Sequence, residues 1–253
     1  MTQERRNQIV DMINRQRTVK NAQLMERFDI SIETVRRDLE YLEQQGYLRR
    51  VYGGAVLVTS SGGESEYAVR TQDHLAEKNA IAEAAAALIS PRDSIFLGVG
   101  TTVQSMVPHM KQLGEFTVFT NALRTAIALS DIPGCSVVLP GGQLRAKELT
   151  LSEFPSEESI SHFNIDKAFI GTGGLTEAGI TDYHIGEAKL HRQLIKNAKQ
   201  SIALVDSSKF GVRAMTNLCT LQEIDVVVTD EKAPKHLINV LEKNGVQVVI
   251  AKV

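Results

Sequence analysis

Seven short apolar runs, rich in β-branched residues, recur through the last two thirds of this chain: Ser94–Leu97, Phe116–Thr120, Ser136–Leu139, Lys167–Ile170, Ser201–Val205, Asp225–Thr229 and Val246–Ala251. Stretches with helical spacing lie among them, at Glu77–Ile89, Val103–Lys111, Ala122–Ser130, Gly186–Lys199 and Lys235–Asn244. Strands that are apolar almost throughout cannot keep one face in water, so both faces must be covered. Interleaved with helices, they imply an α/β domain built on a mostly parallel sheet.

The first quarter has another rhythm. Ile9, Met12 and Ile13 form an apolar stripe at helical spacing; Ala22, Leu24, Met25 and Phe28 mark a second, shorter helix that Asp29 and Ile30 interrupt. Ser31 is a favourable N-cap for a third helix, with Glu33 in its first turn and Gly46 at its end. In that helix Val35, Leu39 and Leu42 face a core, leaving Glu33, Thr34, Arg36, Arg37 and Glu40 for other surfaces. Tyr47–Leu57 then reads as two strands around a Gly-Gly turn. Three helices and a hairpin in this order make a winged helix-turn-helix.

The stretch Thr59-Ser-Ser-Gly-Gly-Glu-Ser65 has the composition of a flexible linker. The expected organisation is therefore residues 1–58 as a winged helix-turn-helix DNA-binding domain, 59–65 as linker, and 66–253 as the α/β domain. Charge agrees weakly. Residues 1–58 carry ten Lys/Arg against eight Asp/Glu, and the remainder eighteen against twenty-two, which points the polyanion-binding half to the N-terminus.

Composition removes several other functions. No stretch approaches the roughly 18–20 uninterrupted apolar residues of a membrane helix, and Glu4, Arg5 and Arg6 lead into no apolar run, unlike a secretory signal. Cys135 and Cys219 form no ligand spacing and no disulfide framework; both thiols are expected to be buried and inert, in a cytoplasmic protein. The six histidines include no pair at the i, i+4 spacing of a helical metal site. No Gly-x-Ser-x-Gly elbow is present. No cofactor is implied. Trp is absent, so no ligand stacks on indole.

Two sets of residues carry candidate chemistry. A helix entering the major groove must present phosphate-binding and base-reading groups near its N-terminus. Ser31, Glu33, Thr34, Arg36 and Arg37 supply them, with Lys20 and Asn21 at the start of the preceding helix and Arg49 and Arg50 on the hairpin. The second set lies at the carboxyl ends of the strands, where open α/β sheets bind ligands. Gly98, Gly100, Thr101 and Thr102 open a helix and are candidates for an anion site. Asn121, Gly141, Gly142, and Gly171, Thr172, Gly173 and Gly174 end further strands; Lys209 could neutralise an anion, and Asp206 or Glu187 could accept from sugar hydroxyls.

Certain strings have a family signature. Arg5–Ile9, Ile30-Ser-Ile-Glu-Thr-Val-Arg-Arg-Asp-Leu-Glu40, Arg50-Val-Tyr-Gly-Gly-Ala55, Asp166-Lys-Ala-Phe-Ile-Gly171 and Val205-Asp-Ser-Ser-Lys-Phe-Gly211, with Gly100-Thr-Thr102, Thr120-Asn121 and Gly141-Gly142, resemble the DeoR-type bacterial transcriptional regulators along nearly the whole chain. The resemblance implies a sequence-specific DNA-binding regulator of a carbohydrate-utilisation operon, usually a repressor. Its implied partners are operator DNA, a phosphorylated sugar effector and further copies of itself, as a dimer or tetramer. It further implies a C-terminal domain resembling ribose-5-phosphate isomerase. The alternative that follows is an isomerase-like enzyme with an appended DNA-binding domain. Ribose-5-phosphate isomerases carry Asp-Gly-Ala-Asp where this chain has Gly171-Thr-Gly-Gly174. Isomerisation needs a general base beside the carbonyl, so the expectation is a sensor without catalysis.

Overall fold

The computed structural model describes residues 5, 6, 8–10, 12, 13, 18–44, 48–57, 67–152 and 156–253. They fall into two compact units, Met1–Gln72 and Asp73–Val253. The 59–65 segment, Gly46 and Tyr47 lie outside the described residues.

In the first unit, β1 (Thr18–Lys20) leads into α1 (Asn21–Phe28), followed by α2 (Ile32–Gln44), β2 (Leu48–Val51) and β3 (Gly54–Leu57). Asp29 ends α1 in the left-handed region (φ 50°), with its N–H on the Met25 carbonyl, a conformation that Asp tolerates better than most residues. Ile9, Met12 and Ile13 pack with Leu24, Val35, Leu39 and Leu42 in one core, as the periodicity predicts. The strand β1 was not legible in the sequence. It pairs antiparallel with β3, giving a three-stranded sheet of order β1-β3-β2. The hairpin turns on Tyr52 and Gly53, one residue earlier than a Gly-Gly turn would. Gly54 instead serves close approach: a Cβ there would lie 2.1 Å from the Val19 carbonyl oxygen. A short helix, α3 (Tyr67–Gln72), also clusters with this unit, whereas the expected boundaries place it in the second domain.

The second unit contains all seven expected strands in one sheet. Its elements run α4 (Leu75–Ala86), β4 (Ser94–Leu97), α5 (Thr101–Gln104), β5 (Phe116–Thr120), α6 (Leu123–Ser130), β6 (Cys135–Val138), β7 (Gln143–Arg145), β8 (Thr150–Ser152) and α7 (Ser156–Ser161). There follow β9 (Ile165–Gly171), β10 (Gly174–Thr176), β11 (Gly179–Asp182), α8 (Ile185–Asn197), β12 (Ala198–Leu204), β13 (Thr216–Cys219), β14 (Val226–Asp230), α9 (Lys235–Lys243) and β15 (Gln247–Ala251). The large sheet has the order β15-β14-β12-β9-β4-β5-β6, and every pairing in it is parallel.

Alternation along the strands fills both faces. Ile95, Leu97, Phe169, Ile202, Leu204, Val226 and Val228 point to the side covered by α4. Phe96 and Ala168 point the other way, against Leu190 and Leu194 of α8; Ile170, Ala203 and Val227 do so against Ala188 and Ile195.

Three readings need correction. The helix expected over Val103–Lys111 is a four-residue α5 followed by a 3-10 turn at Val107–Met110. Pro108 has no N–H to give and its ring would clash with the carbonyl four residues back. Cys135 is only half-buried, because β6 is an edge strand; Cys219 is buried. Two small antiparallel sheets, β7-β8 and β10-β11-β13, flank the large one and were not expected.

Candidate functional site

The Ser31 hydroxyl caps α2, accepting from the Thr34 N–H at 3.3 Å and lying 3.2 Å from Thr34 Oγ1. The helix then turns Val35, Leu39 and Leu42 into the core and leaves Glu33, Arg36, Arg37 and Glu40 exposed, with Thr34 half-buried. Lys20 is exposed at the end of β1, and the Asn21 N–H donates to Gly53 O at 2.9 Å, tying the hairpin turn to the start of α1. Arg50 is engaged differently from the expectation. Its backbone N–H and its Nε both donate to the Glu43 carboxylate at 2.7 Å, so much of its charge is offset within the protein. Those bonds hold the Glu43 carboxyl below its ordinary pKa. Arg49 lies on β2 opposite Val56; its side chain is outside the described residues.

In the second unit the chain order reverses between β9 and β4, where an open α/β sheet leaves its crevice. Here the backbones nearly touch. Gly98 N–H donates to Phe169 O at 2.8 Å, and a Cβ on Gly171 would lie 2.5 Å from Val99 O. Leu97 is in register with both Thr120 and Phe169. Gly98, Asn121 and the Gly171–Thr172 step therefore lie side by side at the ends of three adjacent strands, spaced by about 4.8 Å per strand.

The Asn121 side-chain Nδ2–H donates to Leu151 O at 3.0 Å, and the Asn121 backbone carbonyl accepts from Leu151 N–H at 2.7 Å, which fixes the β7-β8 hairpin beside the crevice. Among the described residues, neither Asn121 Oδ1 nor Thr172 Oγ1, both buried, has a hydrogen-bond partner. Such groups normally find one, because burying them unpaired costs about 1–3 kcal/mol each. Thr101 and Thr102 are buried at the start of α5 behind Gly100. Four residues sum to little macrodipole, so what α5 offers an anion is the free N–H groups of its first turn. Gly141 and Gly142 lead from β6 into β7; Gly173 donates its N–H to Thr181 O and Gly174 begins β10.

Glu187 and Asp206 are both buried and already bonded. Glu187 Oε1 accepts from Thr150 Oγ1 at 2.6 Å and lies 3.3 Å from Arg145 Nε. Asp206 Oδ1 accepts from the Ser208 N–H at 3.1 Å and from the Ser208 hydroxyl, shaping the turn that carries Lys209. Lys209 is half-buried. Among the described residues no group of three or more His, Cys, Asp and Glu is arranged to hold a metal ion, and no helix is long and apolar enough to cross a membrane.

Residues 5–61 match the DeoR-like helix-turn-helix domain, and residues 73–231 match the DeoR C terminal sensor domain. The chain belongs to the DeoR family of transcriptional regulators. Similar family members include the HTH-type transcriptional regulator GolR of Listeria innocua, 34% identical over 98% of each chain. The HTH-type transcriptional repressor GlcR of Bacillus subtilis is 34% identical over 99% of this chain and 96% of its own. The glycerol-3-phosphate regulon repressor of Escherichia coli is 30% identical over 96% and 97%. Among solved structures, ribose 5-phosphate isomerase A of Methanocaldococcus jannaschii is 17% identical with a TM-score of 0.38, and the matched part spans 53% of each chain.

Apolar periodicity does not single out several buried ionisable residues of this DeoR-family regulator. Asp38 is 1% exposed and receives Nε–H bonds from Arg5 and Arg6 at 2.7 and 2.8 Å. Its place three residues after Val35 and one before Leu39 puts it on the buried stripe of α2, a signal that was present. Lys78, 4% exposed, lies three residues before Ile81 on the inner face of α4. Burial pushes the nearby Asp73 carboxyl up and Asp206 adds to the rise, while His74, Lys78 and Lys209 oppose it. His191 is fully buried, one helical turn beyond Glu187 on α8, edge-on to Phe96. Burial lowers its pKa to about 4.

Proposed function

We propose that this regulator represses a carbohydrate-utilisation operon and is controlled by a phosphorylated sugar. Residues 1–58 form the DNA-binding head, 59–65 the linker, and 66–253 the effector-sensing and oligomerising domain of a dimer or tetramer working in the cytoplasm. Arg36 and Arg37 contact base edges or phosphates from the capped α2, with Ser31, Glu33 and Thr34 beside them and Lys20, Asn21 and Arg49 on the flanks. Arg50 orders the hairpin through Glu43 and adds less to DNA. Repression is supported by the relatives that are named as repressors.

The observation that supports the effector reading is the line of Gly98, Asn121 and Gly171–Thr172 across three strand ends, with Asn121 Oδ1 and Thr172 Oγ1 buried and unpartnered among the described residues. A sugar hydroxyl at those atoms would supply the missing hydrogen bonds. A phosphate would lie against the N–H groups of Gly100–Thr102 and the ammonium of Lys209, as charge-assisted bonds favour. Gly141, Gly142, Gly173 and Gly174 let the surrounding loops approach it closely. Ligand and DNA are linked through the head spacing: an effector that prefers one arrangement of the oligomer changes DNA affinity by its preference alone, typically ~1–3 kcal/mol.

The domain does not catalyse. Gly171, Gly173 and Gly174 carry no base, and Glu187 is occupied by Thr150 and Arg145. A thermal-shift screen of the full chain against sugar phosphates and their unphosphorylated parents tests the reading. Excess phosphorylated ligand should raise the melting temperature of the sensor unit, and Thr101→Glu should abolish that rise. Isomerase turnover lost in Glu187→Gln would favour the enzyme instead.

A further inference from the structure

Beneath the recognition helix, two arginines meet one carboxylate. Arg5 Nε donates to Asp38 Oδ2 and Arg6 Nε to Oδ1, and the side chains of Arg5 and Arg6 are only 18% and 20% exposed. One guanidinium would neutralise Asp38, so the cluster keeps a surplus positive charge that is largely withdrawn from water. Such a charge is costly unless an anion or another group compensates it. For Arg6 the compensation is visible: its guanidinium lies 3.8 Å from the centre of the Tyr41 ring, an electrostatic contact with the π face. Arg5 has no such ring among the described residues. Only its Nε is bonded there, which leaves both terminal nitrogens, with four N–H groups in a planar fork, for a partner.

We propose that Arg5 is a DNA-phosphate contact, oriented by Asp38, while Arg6 is a positioning residue locked between Asp38 and Tyr41. This rests on the head's binding of duplex DNA. The fork geometry fits a phosphate oxygen pair, and anchoring at Nε on the carboxylate of α2 fixes the fork relative to the recognition helix. DNA docked against Arg36 and Arg37 would thus meet a backbone contact whose register is set from inside the domain.

The test is the salt dependence of binding to a fluorescently labelled duplex of mixed sequence, measured by anisotropy with the full chain. Each phosphate contact adds about 0.9 to the magnitude of the slope of log K against log salt. Arg5→Gln should lower the slope by about that amount, whereas Arg5→Lys should preserve it. Arg6→Gln should leave the slope unchanged and lower the head's melting temperature. If Arg5→Gln unfolds the head, Arg5→Met keeps the buried stem and is read the same way. An unaltered slope in a folded Arg5 variant without charge would overturn the inference alone. A wild-type chain with no salt-dependent binding would overturn it together with the DNA-binding reading.

Discussion

In the head, exposed cations on α2 are backed by an ion cluster in which only the carboxylate is buried: Arg36 and Arg37 face outward, and Asp38 faces inward to the partly exposed Arg5 and Arg6. In the sensor unit the arrangement is reversed. Its strand ends hold buried uncharged polar atoms, at Asn121 and Thr172, framed by glycines and by carboxylates already bonded to their neighbours. An extended polyanion needs charges it can reach from solvent, and a small ligand needs directional groups in a space from which water is displaced. The two units therefore differ in what should break them.

The largest effect is expected at Asp38. Asp38→Ala leaves two guanidiniums partly buried with no carboxylate, and removal of one partner from a buried ion pair costs about 3–5 kcal/mol. Chemical denaturation should show the head unfolding at much lower denaturant while the sensor transition stays in place. Equal shifts in both transitions would mean that the units do not unfold separately.

Acid should separate them next, in the opposite direction. His191 has a folded-state pKa of about 4, against about 6.5 when unfolded. Below pH 6.5 the unfolded chain takes a proton that the folded sensor refuses, so stability falls with pH until the folded pKa is reached. The loss by pH 4.5 should be on the order of 2 kcal/mol. Residues 1–58 contain no histidine, so the head should be flat between pH 7 and 5. His191→Leu should remove that loss from the sensor unit; an unchanged profile would show that another group titrates.

A smaller effect distinguishes base from backbone contacts on the head. Arg36→Ala and Arg37→Ala should each weaken operator binding by ~1–3 kcal/mol where the side chain reads a base. A residue that only holds phosphate should weaken all sequences alike and flatten the salt slope. Binding unchanged in both variants, with the fold intact, would remove α2 from the interface.

The legible parts of the molecule were those where one periodic signal dominates. The seven sheet strands are apolar on both faces, and α2 has a clear stripe with a serine cap, so both were read with small errors at their ends. The hairpin β7-β8 and the strands β10, β11 and β13 are only three or four residues long and are interrupted by glycines and threonines, too short for alternation to register. The strand ends of the crevice were readable as glycine and polar clusters. That Asn121 also anchors Leu151, and that Glu187 is tied to Thr150 and Arg145, depends on partners thirty or more residues away. Asp38 and Lys78 lie on the buried stripes of their helices, where a signal built on apolar periodicity passes over charged residues.

The most direct measurement is the anisotropy of the full chain on a duplex selected for tight binding from a random pool, titrated with sugar phosphates and with their unphosphorylated parents. At least one phosphorylated sugar should change the DNA affinity, its parent should act far more weakly, and Thr101→Glu should bind the duplex normally but ignore both. Equal responses to a sugar and its phosphate, or a Thr101→Glu variant that responds as the wild type does, would contradict an anion-reading crevice at the ends of β9, β4 and β5.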